Sequence, residues 1–200
     1  MHLFSNDPRV IQNEETFEIN TSGGTYIIIP TKYYPQRDVH EYLFSNPKGV
    51  DILETIRIAA FQALHILNLF KTKNVIHNDF IFENLIVTED PITSNSKLPF
   101  NVLVTDFANA QVADENGKSD IIGGTKIFNA PEIQNKLAHD YSVDIWSLGI
   151  NIYSYISSVL PFDISETDSA DTIFKKTREN TLSNHENSIP EDAFDVISRM

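Results

Sequence analysis

Two short runs with strand character open the chain. They are Glu15-Thr16-Phe17-Glu18-Ile19 and Thr25-Tyr26-Ile27-Ile28-Ile29, and Gly23-Gly24 between them can take the positive φ angles of a tight hairpin turn. The second run is apolar and β-branched, which predicts a strand buried on both faces. From Asp51 the spacing changes. Ile52, Leu53, Ile56, Ala59, Ala60, Ala63, Leu64, Leu67 and Phe70 recur at helical intervals and predict one helix over 51–72. At ~1.5 Å per residue it runs roughly 30 Å. Two short β runs follow, 85–87 and 101–105, with a loop rich in Asp, Pro, Ser and Asn between them. A second helix is predicted over about 141–159, where Ile145, Trp146, Leu148, Ile150, Ile152, Tyr153, Tyr155 and Ile156 put apolar groups all round the axis. Such a helix is buried on every side. After Pro161-Phe162 the chain is polar and acidic from Asp163 to Ala170, the pattern of a solvated loop that could also meet a basic partner. Helices are predicted near 170–178 and from Ser188-Ile189-Pro190-Glu191 onward, the latter with proline and acids in its first turn. Its apolar face, Phe194, Ile197 and Met200, meets the end of the chain. The fold class is α+β.

Composition narrows the function. With 200 residues, 41% hydrophobic and 22% charged, the chain suits an ordinary globular domain and excludes collagen-like or low-complexity architecture. Lys plus Arg number 15 against 28 Asp plus Glu, a net charge of −13 that repels phosphate backbones and anionic lipid. Neither nucleic acid nor a membrane is an expected partner. Cysteine is absent, so disulfides, thiolate metal sites and a Cys nucleophile are excluded. The start, Met1-His2-Leu3-Phe4-Ser5-Asn6-Asp7, lacks the basic and apolar blocks of a signal peptide. The expected location is intracellular, cytoplasmic or nuclear.

The residues that carry chemistry lie between the long helix and the next β run, in His77-Asn78-Asp79-Phe80-Ile81-Phe82-Glu83-Asn84. An Asp and an Asn five residues apart on a loop suit phosphoryl transfer. The carboxylate accepts a hydroxyl proton and orients the nucleophile, and the amide oxygen helps hold a metal on the phosphates. Asp106, twenty-two residues beyond Asn84, offers a second oxygen ligand of the kind Mg²⁺ takes. Singly, each acid is more simply a cap or turn residue, and His77 a core histidine. Their order changes the weighing.

That order resembles the protein-kinase superfamily, whose catalytic loop H-R-D-x-x-x-x-N is followed by D-F-G and A-P-E. Here stand His77, Asp79 and Asn84, then Asp106-Phe107-Ala108, then Ala130-Pro131-Glu132. Gly124-Thr125 with Phe128 resembles the G-T-x-x-Y before A-P-E, and this disfavours tyrosine-kinase character. Asp144-Ile145-Trp146-Ser147-Leu148-Gly149 resembles the buried central helix, and Pro161-Phe162 the motif that closes it. Upstream, Asp7-Pro8-Arg9-Val10-Ile11 resembles the link into the small lobe's fourth strand.

The resemblance implies a kinase-like fold made mostly of the helical large lobe, with only the last two small-lobe strands and the hinge before it. Residues 1–29 would be the small-lobe remnant, 30–36 the hinge and 37–200 an incomplete large lobe, so that the domain is partial at both ends. It implies ATP and Mg²⁺ as cofactors, if nucleotide binds at all, and a protein substrate or partner. Asp79 would be the base, and Asn84 and Asp106 the metal ligands. The adenine site would use the Pro30 carbonyl and the Lys32 N–H, with Ile86 in the same nucleotide site. His77, Thr125, Glu132 and Asp144 would be structural, around the activation segment.

Several departures bear on activity. There is no lysine before Lys32, and Gly23-Gly24 is the only glycine pair before the catalytic loop, so the phosphate-covering loop and strand lysine are missing. Asn78 replaces the arginine that pairs with a phosphorylated activation segment in many relatives, and an amide cannot make that bidentate pair. Ile81 stands where Ser/Thr kinases carry a lysine, and losing such a cation costs ~10²–10³ in rate. Ala108 replaces the glycine of D-F-G. Glu132 is expected to lack its usual arginine partner. Ser119 and Thr125 lie on the presumed activation segment, weak evidence of regulation. Three readings follow: a Ser/Thr protein kinase, a pseudokinase that binds or scaffolds, and a fragment of a longer active kinase. For these 200 residues the expectation is little or no phosphoryl transfer.

Overall fold

The structure is a computed structural model and describes residues 2–35, 37–45, 51–89, 98–182 and 188–200. Most of the polar loop expected between the two β runs, 90–97, and residue 36 of the expected hinge lie outside the described residues.

The N-terminal strands are β1 (Phe17–Thr21) and β2 (Gly24–Ile28), paired antiparallel with Thr21 opposite Gly24. Ser22-Gly23 form the two-residue turn, and only Gly24 of the glycine pair takes a positive φ, 136°. The expectation that the second run is buried on both faces is overturned. Ile27 is 67% exposed, and Phe17, Ile19 and Tyr26 are exposed too. A two-stranded ribbon has two open edges, and among the described residues no layer covers this one. Residues 9–11 instead run along another strand, β5 (Asn101–Val104): Val10 bridges Val104 in parallel, and Ile11 N–H donates to the Val104 carbonyl at 3.0 Å.

Helix α1 (Val39–Ser45) went unpredicted; Asp38 caps it, accepting the Glu41 N–H at 2.8 Å. Helix α2 (Ile52–Thr72) matches the expected 51–72. Asp51 caps it by accepting the Leu53 N–H at 3.0 Å, and Asn74 takes the left-handed turn just past its end with φ 55°. By length and composition alone α2 is long and apolar enough to cross a membrane. Its inner face, however, is spent on the protein core. Ile56, Ala59, Ala63, Ile66 and Phe70 pack with Leu148, Ile152 and Tyr153 of α4 (Ser142–Ser157), the helix expected over 141–159. Leu85 and Val87 of β4 (Leu85–Thr88) and Val102 and Val104 of β5 complete that core from the side. β4 and β5 form an antiparallel hairpin with Leu85 opposite Val104, so both predicted β runs are strands.

Two further strands, β3 (Val75–Ile76) and β6 (Gln111–Val112), pair antiparallel. The short α3 (Pro131–Gln134), α5 (Ala170–Glu179) and α6 (Glu191–Ile197) complete the order, the last two close to their expected positions. The loop 77–84 thus leaves β3 and enters β4, between α2 and α4. The acidic stretch after Pro161 is tied down by lysines: Lys126 Nζ donates to the Glu166 and Asp168 carbonyls, and Lys176 pairs with Asp168 at 2.9 Å.

Candidate active site

A polar stripe on a buried helix sets the loop. Asp144, Ser147 and Asn151 lie three and seven residues apart, on one face of α4. The Asp144 carboxylate accepts the N–H of His77 at 2.8 Å and of Asn78 at 2.9 Å. Ser147 Oγ donates to the Phe128 carbonyl at 2.9 Å, and Asn151 Oδ1 accepts the Phe82 N–H at 3.1 Å. Ser147 and Asn151 were not foreseen, although polar residues on a helix apolar all round were the available signal. Burial pushes the Asp144 carboxyl up to about 7, against the opposite pull of its two N–H donors.

His77 is fully buried, stacked on Phe70 with ring centroids 5.9 Å apart and set edgewise to Phe107 at 5.1 Å. Its Nε2 donates to the Thr105 carbonyl at 3.0 Å, and burial holds the ring below its ordinary pKa. A neutral imidazole with its proton committed to Thr105 is a spacer between core and loop, as the sequence suggested.

Asp79, Asn84 and Asp106 are brought together through short links. Asn84 Nδ2 donates to the Asp79 carbonyl at 2.8 Å, and the Thr105 N–H, next to Asp106, donates to the Asn84 carbonyl at 3.0 Å. The Thr125 N–H donates to Asp79 Oδ1 at 2.9 Å, which ties the backbone of Thr125 to the loop. Asp106 is exposed at φ 56°, and the Ala108 N–H at 3.2 Å is a long contact to its carboxylate. Mg²⁺ fits this donor set: it takes one or two protein oxygens and fills its shell with phosphate and water. With its nitrogen on Asp79, Asn84 keeps Oδ1 as an acceptor. Among the described residues no group of three or more His, Cys, Asp or Glu side chains could hold a metal.

The expected adenine contacts are less united. The Pro30 carbonyl already accepts the Glu14 N–H at 2.9 Å, and Thr31 bridges Asn13. Lys32 Nζ lies over the Tyr34 ring, 5.2 Å from its centroid. The segment that runs beside β4 and Ile86 is 37–38, where Val87 N–H donates to the Arg37 carbonyl at 2.8 Å and Asp38 bridges Ile86.

Other expected positions resolve plainly. Ile81 is buried with Phe128 and Ile150, against Trp146, Leu160 and Phe162. Ser119 is buried and its hydroxyl donates to Gln111 at 2.6 Å, so it is not on display in this conformation. Glu132 sits in the first turn of α3. Glu83 was not weighed from sequence: burial raises its carboxyl pKa, and it borders a cavity of about 490 Å³ with Ile127, Phe128, Tyr155 and Glu166.

The site thus combines a loop with Asp and Asn at fixed spacing, a following Asp, and a buried helix gripping the loop backbone. Residues 1–200 match the family model described as "Protein kinase domain". The chain belongs to the protein kinase family. It is 33% identical over 134 residues to serine/threonine-protein kinase 33 of Bos taurus, covering 64% of this chain and 27% of that protein. It is 27% identical over 207 residues to a putative serine/threonine-protein kinase of Saccharomyces cerevisiae, covering 98% of this chain and 21% of the yeast protein. To ribosomal protein S6 kinase alpha-3 of Homo sapiens it is 25% identical over 177 residues, 86% of this chain and 21% of that one. The chain thus spans about a quarter of the length of these relatives.

Proposed function

We propose that this chain carries the phosphoryl-transfer core of a serine/threonine protein kinase, with Asp79, Asn84 and Asp106 as its working residues. The observation that supports the reading is the linkage of these three side chains' segments through the Asp79–Asn84 and Thr105–Asn84 hydrogen bonds. The Asp79 carboxylate, steadied by Thr125 N–H, orients a Ser or Thr hydroxyl and accepts its proton. Asn84 Oδ1 and the Asp106 carboxylate are the residues that would hold Mg²⁺ when nucleotide is bound. The cation supplies charge neutralisation on the transferred group. Residues 1–29 are read as part of the small lobe, 30–36 as the hinge and 37–200 as the large lobe, with an intracellular location to match.

Turnover by these 200 residues is low in this reading. Ile81, where the resemblance leads one to expect a lysine, is locked in an apolar cluster. That packing favours a binding or scaffolding role as the alternative. Thermal unfolding with and without ATP and MgCl₂, beside Asp106→Asn, tests nucleotide binding. A Mg²⁺-dependent rise in Tm, absent in the variant, is expected; a sharp transition indifferent to nucleotide would leave the scaffold reading in place.

A further inference from the structure

His139 lies outside every motif that pointed to function, yet it is 2% exposed and touches the loop. Its Nε2 is 2.8 Å from Asn78 Oδ1, and its Nδ1 is 3.0 Å from the Leu137 carbonyl. Asn78 is itself buried, at φ 62°, and its Nδ2 donates to the Asn109 carbonyl at 3.0 Å. That last bond fixes the amide's orientation, because reversing it would set two oxygens against each other. Asn78 Oδ1 is therefore an acceptor, and the His139 ring completes this contact by donating from Nε2.

The same short stretch grips the activation segment. The His139 backbone exchanges two hydrogen bonds with Ser119, at 2.8 and 2.9 Å, and Asp140 pairs with Lys118 at 2.9 Å. Gly124, on the far side of that segment, approaches the Asn78 carbonyl so closely that an added Cβ would lie 2.2 Å from it.

We propose that His139 is a positioning residue: donating its Nε2–H to Asn78 of the catalytic loop, it clamps that loop to the 118–125 segment and holds the segment in place without any added phosphate. The consequence for turnover rests on the kinase reading; the clamp itself does not. It stands where many relatives use an arginine at position 78 and a phosphorylated residue, with the donor here supplied from the other side of the contact.

Two measurements on the 200-residue chain test this. In a long-range ¹H–¹⁵N correlation spectrum, His139 is expected to show its Nε2 protonated; a bare Nε2 overturns the proposal. By amide hydrogen exchange, His139→Ala should speed exchange at Ser119, Ile121 and Thr125 by about tenfold or more through local opening. His139→Gln, which keeps a donor toward Asn78, should recover most of that protection. Unchanged exchange in a folded His139→Ala chain overturns the clamp. If that variant does not fold, the wild-type ring spectrum still decides. Neither readout needs turnover, so a protecting His139 with its Nε2 protonated, in a chain that binds no nucleotide, would count against the kinase reading and leave the clamp standing.

Discussion

Asn151 accepts the backbone N–H of Phe82 at 3.1 Å, two turns along α4 from the carboxylate of Asp144 that holds the other end of the same loop. Asn151 is fully buried and donates its own Nδ2 to the Ser147 carbonyl at 2.9 Å. Asn151→Leu would leave the Phe82 N–H buried without a partner. A loss of about 1–3 kcal/mol is expected, read as a lower urea midpoint with unchanged slope.

Asp144 gives the protein a pH signature. Its carboxyl is raised from 3.8 to about 7 by burial, so the folded chain keeps a proton that the unfolded chain releases. The stability tied to that proton is full below about pH 4 and is lost as pH rises through about 7. Asp140 works with the opposite sign: Lys118 holds it down to about 2, and its contribution is full above about pH 4 and is lost as pH falls from there through about 2. Urea midpoints of the wild type should therefore decline relative to Asp144→Asn between about pH 4 and 7. Parallel profiles would contradict the assignment.

Gly124 has φ 82° and stands against the Asn78 carbonyl, where a Cβ would lie 2.2 Å away. A backbone atom cannot swing aside as a side-chain tip can. Gly124→Ala should cost about 1–3 kcal/mol from the left-handed conformation and the clash together, checked by chemical denaturation.

Ile81→Lys would restore the residue type that the resemblance leads one to expect there. The structure predicts harm instead. The side chain enters a cluster of Phe128 and Ile150, walled by Trp146, Leu160 and Phe162. An ammonium buried there has no carboxylate partner in the cluster, so the variant should lose roughly 3 kcal/mol or more and gain no activity. A stable, more active variant would refute this packing.

The loop and the two long helices were legible because their signals are local. Helical spacing in 52–70 and the fixed offsets of His77, Asp79, Asn84 and Asp106 need only the chain itself. The exposure of β2 was not legible: Thr25-Tyr26-Ile27-Ile28-Ile29 has the composition of a buried strand, but burial depends on what packs over it, and here only β1 pairs with it. The Pro30 carbonyl reads as a free acceptor in sequence, and only the fold shows Glu14 at it. Ile81 reads in sequence as a lost cation, and only the fold shows that it also anchors an apolar cluster. Ser147 and Asn151 could have been found as a polar stripe continuing from Asp144, whereas His139 carried no local signal at all, because its partner lies 61 residues away.

The central claim is that Asn84 and Asp106 hold a divalent cation on a bound nucleotide. Titrating Mn²⁺ into the chain with ATP, followed by the loss of the free-ion electron paramagnetic resonance signal beyond that of ATP alone, measures this directly. One Mn²⁺ bound per chain only in the presence of ATP, with binding abolished in Asn84→Leu and in Asp106→Asn, is the expected result. Equal binding by wild type and both variants would contradict the account.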